Sequence, residues 1–311
     1  MNLDLLTIAN RASLGRKIVS SIDNTKNRIE KIKAIVDKIG DNECFNKEEV
    51  TQELEFSIIG LISILEQHLN NLLYHIYVSF PSKIGGKKFE ISDLGDKGSL
   101  LELFYDKATQ RILDLAYGRF ERFIDSFLVA YDINTKIDVN VVEEINEIKC
   151  TRDCLIHSNG KANALYFTKT GTKARARLKD EKLKIDIEYF NASVDKILSL
   201  IKQIETLIPN KYKESTRAYV FKQMWDATCL SRRITFERAW KIENPDMVRP
   251  IDIENNFGFS TSEMEVYNLF RYLYAGSSEY KVDFALFFER WDPSSNEYQI
   301  AVSWLNNQFY F

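Results

Sequence analysis

The stretch VNVVEEINEIKCTRDCLIHSNGK, residues 139–161, carries the pattern from which the rest of the chain can be read. Val141, Ile145, Ile148 and Leu155 recur at helical spacing, and Asn159-Gly160 is a helix C-terminal signal, so the spacing predicts a helix over 139–157. Arg152 falls on that apolar stripe. A long cation on a core-facing stripe needs an anion or another partner. His157 lies on an adjacent face with Asn146, Cys150, Asp153 and Cys154, small or polar residues suited to lining a cleft.

Similar patterns extend outward on both sides. Ile18, Ile22, Ile29, Ile32, Val36 and Ile39 give a narrow stripe over 11–39, ended by Gly40. Leu54, Ile58, Leu61, Leu65, Leu69, Leu72 and Ile76, widened by Ile59, Ile62 and Leu73, predict a central helix over 47–77. The segment PSKIGGKKFEISDLGDKG breaks it. Further helices are expected over 99–131 and 188–207, and residues 161–184 read as a loop or short hairpin. Only Pro81 precedes Pro209, as suits a helical region.

Composition then shifts. All four tryptophans and 22 of the 39 aromatic residues lie in 212–311, which places a domain boundary near Pro209–Glu214. Helices are expected near 215–241 and 260–275, while 281–311 is ambiguous between helix and strand. The expected fold class is all-α: an N-terminal helical extension over 1–44, a helical bundle over 45–210, and an aromatic-rich, mainly helical domain over 211–311 with an α+β alternative.

Net charge is −3 and hydrophobic residues make up 45% of the chain, which excludes a protein basic throughout and a disordered one. Four cysteines without a paired CxxC, and three histidines in all, argue against a structural zinc site. No metal and no cofactor are expected. Without a signal peptide or an apolar run near 18 residues, the expected location is cytoplasmic, with no membrane partner.

Histidine chemistry is confined to His68, His75 and His157. His68 and His75 sit on the predicted 47–77 helix and read as packed or surface residues. Asp153 and His157 are i and i+4, so the carboxylate could orient the ring; a solvated helix carboxylate is the plain alternative. His157 equally suits a helix C-cap, Arg152 a salt bridge to Glu66 or Glu102, and Asn159 either a phosphate contact or a C-cap. Arg152-Asp153-Cys154-Leu155-Ile156-His157 resembles the signature of the HEPN superfamily: an arginine, a polar residue, and a histidine near the end of a late helix in an all-α bundle.

The resemblance covers roughly 45–208 and implies metal-independent endoribonuclease activity. Arg152 and His157 would be catalytic, supported by Asp153 and Asn159. The implied partner is RNA, cleaved by 2′-hydroxyl attack, and the implied assembly is a homodimer through the motif helix. A toxin or phage-defence role is implied by the same likeness. The alternative is a non-catalytic RNA-binding or protein-interaction scaffold of the same fold. Relatives modified by a nucleotidyltransferase antitoxin often carry tyrosine two residues after the histidine; here that position is Asn159, which speaks against such control.

Residues 161–184 hold eight Lys/Arg against Asp180 and Glu181, a local charge of +6 that leaves −9 for the remainder. Lys161, Lys169, Lys173, Arg175, Arg177 and Lys179 are the expected RNA-binding residues, acting by phosphate attraction; a solvated lysine-rich hairpin is the alternative. Tyr166 and Phe167 are the only stacking candidates there. The aromatic region reads as a compact core, or else as a surface for a regulatory protein partner through FALFFERW or the terminal NNQFYF.

Overall fold

The computed structural model describes residues 7–40, 46–85, 100–213, 217–244, 247–251, 257–275 and 280–306. It is mainly helical, with thirteen α-helices and a two-stranded sheet among the described residues. No described helix is long and apolar enough to cross a membrane. The chain forms two compact units: residues 19–74 with 109–209, and residues 1–18 with 75–108 and 210–311.

The first, the bundle unit, takes α1 (Ile8–Gly40) from Val19 onward and α2 (Lys47–Ser79) as far as Tyr74. α1, which the sequence sets apart as an extension, is thus divided between the units at Ile18. Its stripe residues Ile22, Ile29 and Val36 are buried, and Gly60 of α2 lets the Ile32 side chain approach closely. Ser21 shares a 2.9 Å hydrogen bond with Nδ1 of buried His68, and Lys26 pairs with Glu205 at 2.6 Å.

The helix expected over 99–131 is two helices, α3 (Leu100–Ala116) and α4 (Phe120–Ala130). The break follows from Gly118, where a Cβ would stand 3.1 Å from the Leu115 carbonyl oxygen. α5 (Val139–His157) begins on an Asp138 cap that accepts the Asn140 N–H at 2.9 Å. It packs against α4, α6 (Ala164–Thr170) and α7 (Ile187–Leu207). The segment 161–184 is more ordered than a loop. Asn163 caps α6 by accepting the Tyr166 N–H, and Lys161 pairs antiparallel with Lys182.

The second, aromatic unit contains α8 (Asn210–Lys213), α9 (Arg217–Ala227), α10 (Phe236–Ala239), α11 (Thr261–Ala275), α12 (Phe284–Arg290) and α13 (Asn296–Asn306). β1 (Trp240–Asn244) and β2 (Met247–Pro250) pair antiparallel with Ile242 opposite Val248. The expected 215–241 helix is therefore interrupted, and the ambiguous 281–306 part is helical. The aromatic density is core: Trp225 meets Phe270 edge-on at 5.3 Å and Phe221 meets Trp240 at 4.8 Å, all four buried. Of FALFFERW, Phe287 is buried and Phe284, Phe288 and Trp291 pack against the same core. The last five residues of NNQFYF lie outside the described residues.

α8 is seated on α1, where a Cβ at Gly15 would stand 2.1 Å from the Lys213 carbonyl oxygen. Gly15→Ala should therefore destabilise the protein by about 1–3 kcal/mol, measured by urea unfolding. Burial, with Lys26 adding to it, lowers His68 to about 4 against the hydrogen bond from Ser21. Above pH 6.5 both folded and unfolded His68 are neutral; below it only the unfolded chain takes up the proton, so stability falls toward pH 4. The contribution at pH 4 is on the order of 3 kcal/mol. Thermal unfolding of His68→Gln followed by circular dichroism should show a shallower loss over that window than wild type.

Candidate functional site

The C-terminal half of α5 faces a cavity of about 640 Å³ within the bundle unit. Arg152, Asp153 and His157 all line it. Lys149, one turn before Arg152 or Asp153, joins them, with Lys169 of α6 and Glu66 of α2. Counted with a neutral histidine, these side chains carry net +1.

Glu66 organises the cations. It pairs with Lys149, and its Oε2 lies 2.6 Å from Nη2 of Arg152. The salt bridge that the sequence offered as one reading of Arg152 is therefore made, to Glu66. The Arg152 side chain is largely buried, and its Nε makes no hydrogen bond: Asp153 Oδ1 lies 3.4 Å away without the required alignment. A buried N–H in this state costs about 1–3 kcal/mol. No hydrogen bond joins Asp153 to His157 among the described residues; the carboxylate instead stands beside Arg152.

His157, the last residue of α5, is solvent-exposed. Beyond it the helix ends through Ser158 and Gly160, whose N–H groups donate to the Cys154 carbonyl at 2.9 and 3.0 Å. Asn159 takes a left-handed φ of 50° in this turn, is exposed, and does not line the cavity. It lies one residue past the C-cap, Ser158. Two asparagines do line the cavity, Asn70 of α2 and Asn163, and Asn163 donates to Ser158 Oγ at 3.0 Å while capping α6.

Most of the remaining wall is apolar and comes from sequence that signals nothing by itself, including Leu113 of α3, Phe120 and Phe123 of α4, Leu165 of α6, and Tyr117 in the turn at Gly118. Tyr117 is 88% exposed, and Leu113, Leu165 and the nearby α5 residue Ile156 are each about half exposed.

The neighbouring part of α5 narrows one expectation. Asn146, Cys150 and Cys154, read as cleft lining, are buried; Asn146 and Cys150 border only a small cavity of about 90 Å³ with Lys149 and Lys169, and Cys154 lines neither cavity. Cys150 and Cys154 form a small core with Ala162, Tyr166, Ala176 and Leu183, because the segment after α5 folds back over them. Burial pushes the Cys150 thiol up to about 12 and raises Cys154 as well, so neither is a thiolate nucleophile near neutral pH.

Under that segment lies Glu147, also buried. Its carboxylate accepts from Thr151 Oγ1 at 2.7 Å, Tyr166 Oη at 2.8 Å, Tyr189 Oη at 3.0 Å and Arg175 Nε at 3.0 Å. The Arg175 guanidinium also lies 3.6 Å from the Tyr189 ring centre. Burial first, then the neighbouring Glu147 charge, holds both phenols well above their ordinary range, so they remain donors.

Arg175, expected to meet RNA, is thus committed inside the protein, and Tyr166 is buried rather than open for stacking. Lys173 stands 3.8 Å from Glu143. Lys161, Lys169, Arg177 and Lys179 are exposed and make no ion pair among the described residues. Of the six expected cations, Lys169 alone lines the cavity, and Asn146 fixes its backbone by donating to the Lys169 carbonyl at 2.8 Å.

Among the described residues, no group of three or more His, Cys, Asp or Glu side chains could hold a metal ion. No known family, curated protein or solved structure matches the chain.

Glu147→Ala would strand a partly buried arginine and three hydroxyl donors, and should destabilise the protein by about 3 kcal/mol in urea unfolding. Tyr189→Phe, which removes one donor, should cost about 1 kcal/mol.

Proposed function

We propose that the chain is an HEPN-like endoribonuclease that needs no metal, with Arg152 and His157 as its catalytic pair. The observation that carries this reading is the shared cavity: His157, an Arg152 with a buried unbonded Nε, and the cations Lys149 and Lys169 all line it. The RNA 2′-hydroxyl attacks the adjacent phosphorus, forming the P–O2′ bond while the P–O5′ bond breaks. One imidazole takes the 2′-hydroxyl proton and another protonates the leaving O5′. The Arg152 guanidinium, held by Glu66 at Nη2, offsets the charge that develops on the phosphate. Lys149 and Lys169 add to the attraction for the backbone.

His157 is the one histidine lining the cavity, so the second imidazole comes from a second copy of the chain. Half-exposed Ile156 and Leu165, with Leu113 and Tyr117, supply an apolar rim for a homodimer built on α5. The same likeness suggests a toxin or phage-defence effector. A second reading is favoured by the Glu66–Arg152 ion pair: a guanidinium held by a protein carboxylate suits a non-catalytic RNA-binding or interaction scaffold.

The two readings part on mutation. His157→Ala should lower RNA cleavage by about 100-fold or more, and Arg152→Ala by a similar factor, with near-wild-type circular dichroism. Cleavage should persist in EDTA. Unchanged cleavage by both variants would sink the nuclease reading, loss of activity in EDTA would sink its metal independence, and an active monomer in light scattering would sink the shared cleft.

A further inference from the structure

The cavity beside α5 is larger than a phosphate requires. At about 640 Å³ it falls within the roughly 300–1,000 Å³ typical of sites for small organic molecules. Its inner wall is apolar: Leu69 of α2, Leu115 of α3, and Phe120 and Phe123 of α4 line it, and all four are buried. A phosphate gains nothing from such a wall, whereas a flat aromatic ligand loses its water there favourably.

Two further lining residues are uncommitted. Tyr117, in the turn before Gly118, is 88% exposed and makes no ring contact among the described residues. Asn70, half-buried on α2, makes no side-chain hydrogen bond among them. The other lining asparagine, Asn163, is already engaged: its amide donates to Ser158 Oγ, and its carbonyl accepts the Tyr166 N–H. The cavity thus presents an open ring face and one free amide able both to donate and to accept.

These are the groups that a nucleobase meets in a protein: a ring for its π-face, apolar side chains for its body, and a polar group for its edge. We propose that the cavity holds an unpaired RNA base adjoining the phosphate at Arg152, stacked on Tyr117 and read at its edge by Asn70. A base within a duplex has its faces and its pairing edge occupied, so the preferred strand is one whose base is free to turn out. The inference deepens the RNA reading of this cavity and rests on it, but it does not require cleavage.

Short 2′-O-methyl oligonucleotides, one for each base, lack the attacking hydroxyl and so report binding alone. In fluorescence anisotropy the full chain should bind the single strand about tenfold or more tightly than the same strand annealed to its complement. Tyr117→Ala should weaken single-strand binding about fivefold or more, and Tyr117→Phe should keep it within about twofold of wild type. Asn70→Leu should narrow the differences in affinity among the bases to about twofold. Light scattering should give Tyr117→Ala the mass of the wild-type protein, and His157→Ala should bind as wild type does. Equal affinity for strand and duplex would overturn the proposal, as would single-strand binding that Tyr117→Ala leaves intact or a base preference that Asn70→Leu leaves unchanged. A changed mass in Tyr117→Ala would also overturn it, since Tyr117 would then belong to an interface between copies. Binding that depends on Tyr117 in a protein that cleaves no RNA would remove the nuclease reading and uphold this one. No binding of any strand at concentrations on the order of 1 mM would remove both.

Discussion

A buried carboxylate at Glu147 is the constraint on which the bundle's functional face depends. Removing such a charge from water is costly unless every acceptor position is filled. Here four donors fill them, and they come from four places: Thr151 on α5 itself, Tyr166 on α6, Arg175 in the chain beyond it, and Tyr189 on α7. Satisfying one acid therefore fastens three successive segments to the motif helix. Asn163, Leu165 and Lys169, which complete the cavity wall beside His157, are held in place by that fastening and by the Asn146 hydrogen bond to Lys169.

The cationic segment shows how charge read along a chain differs from charge in a fold. Arg175 neutralises an interior acid, and Lys182 and Lys184 stand beside Glu55 and Asp186. Part of the +6 is spent on architecture. The Lys161, Lys169, Arg177 and Lys179 side chains are exposed and make no ion pair among the described residues, and they are spaced by the helix and turns of that architecture rather than carried on a loose tether.

Much of the fold was legible because long helices declare themselves by periodicity. The bounds of α5 and α7 fall within a residue of those expected from apolar spacing and the Asn-Gly and Pro209 stops. Arg152, Asp153 and His157 were found by the same reading, as was Glu66 as an ion-pair partner for the arginine. What escaped depends on contacts distant in sequence. Glu147 looks like any solvated acid in EINEIK, and only Tyr166 and Tyr189 reveal it as buried. Cys154 looks like cleft lining until the following segment covers it, and Cys150 is packed by the same segment. Asn159 suits a phosphate contact or a C-cap on paper; the left-handed turn keeps it at the helix end, and Asn163, four residues on, lines the cavity instead. Tyr117 and Phe120 reach the cavity through a turn that one glycine creates.

The spans joined by Glu147 also bear on the order in which the chain folds. Its contacts to Tyr166, Arg175 and Tyr189 close separations of 19, 28 and 42 residues, whereas the Lys26–Glu205 pair closes one of 179. Short loops lose less entropy on closure, so local contacts form before distant ones. Every contact that satisfies Glu147 thus lies within one continuous stretch, residues 139–207, and the buried charge calls on no partner from the distant ends of the chain.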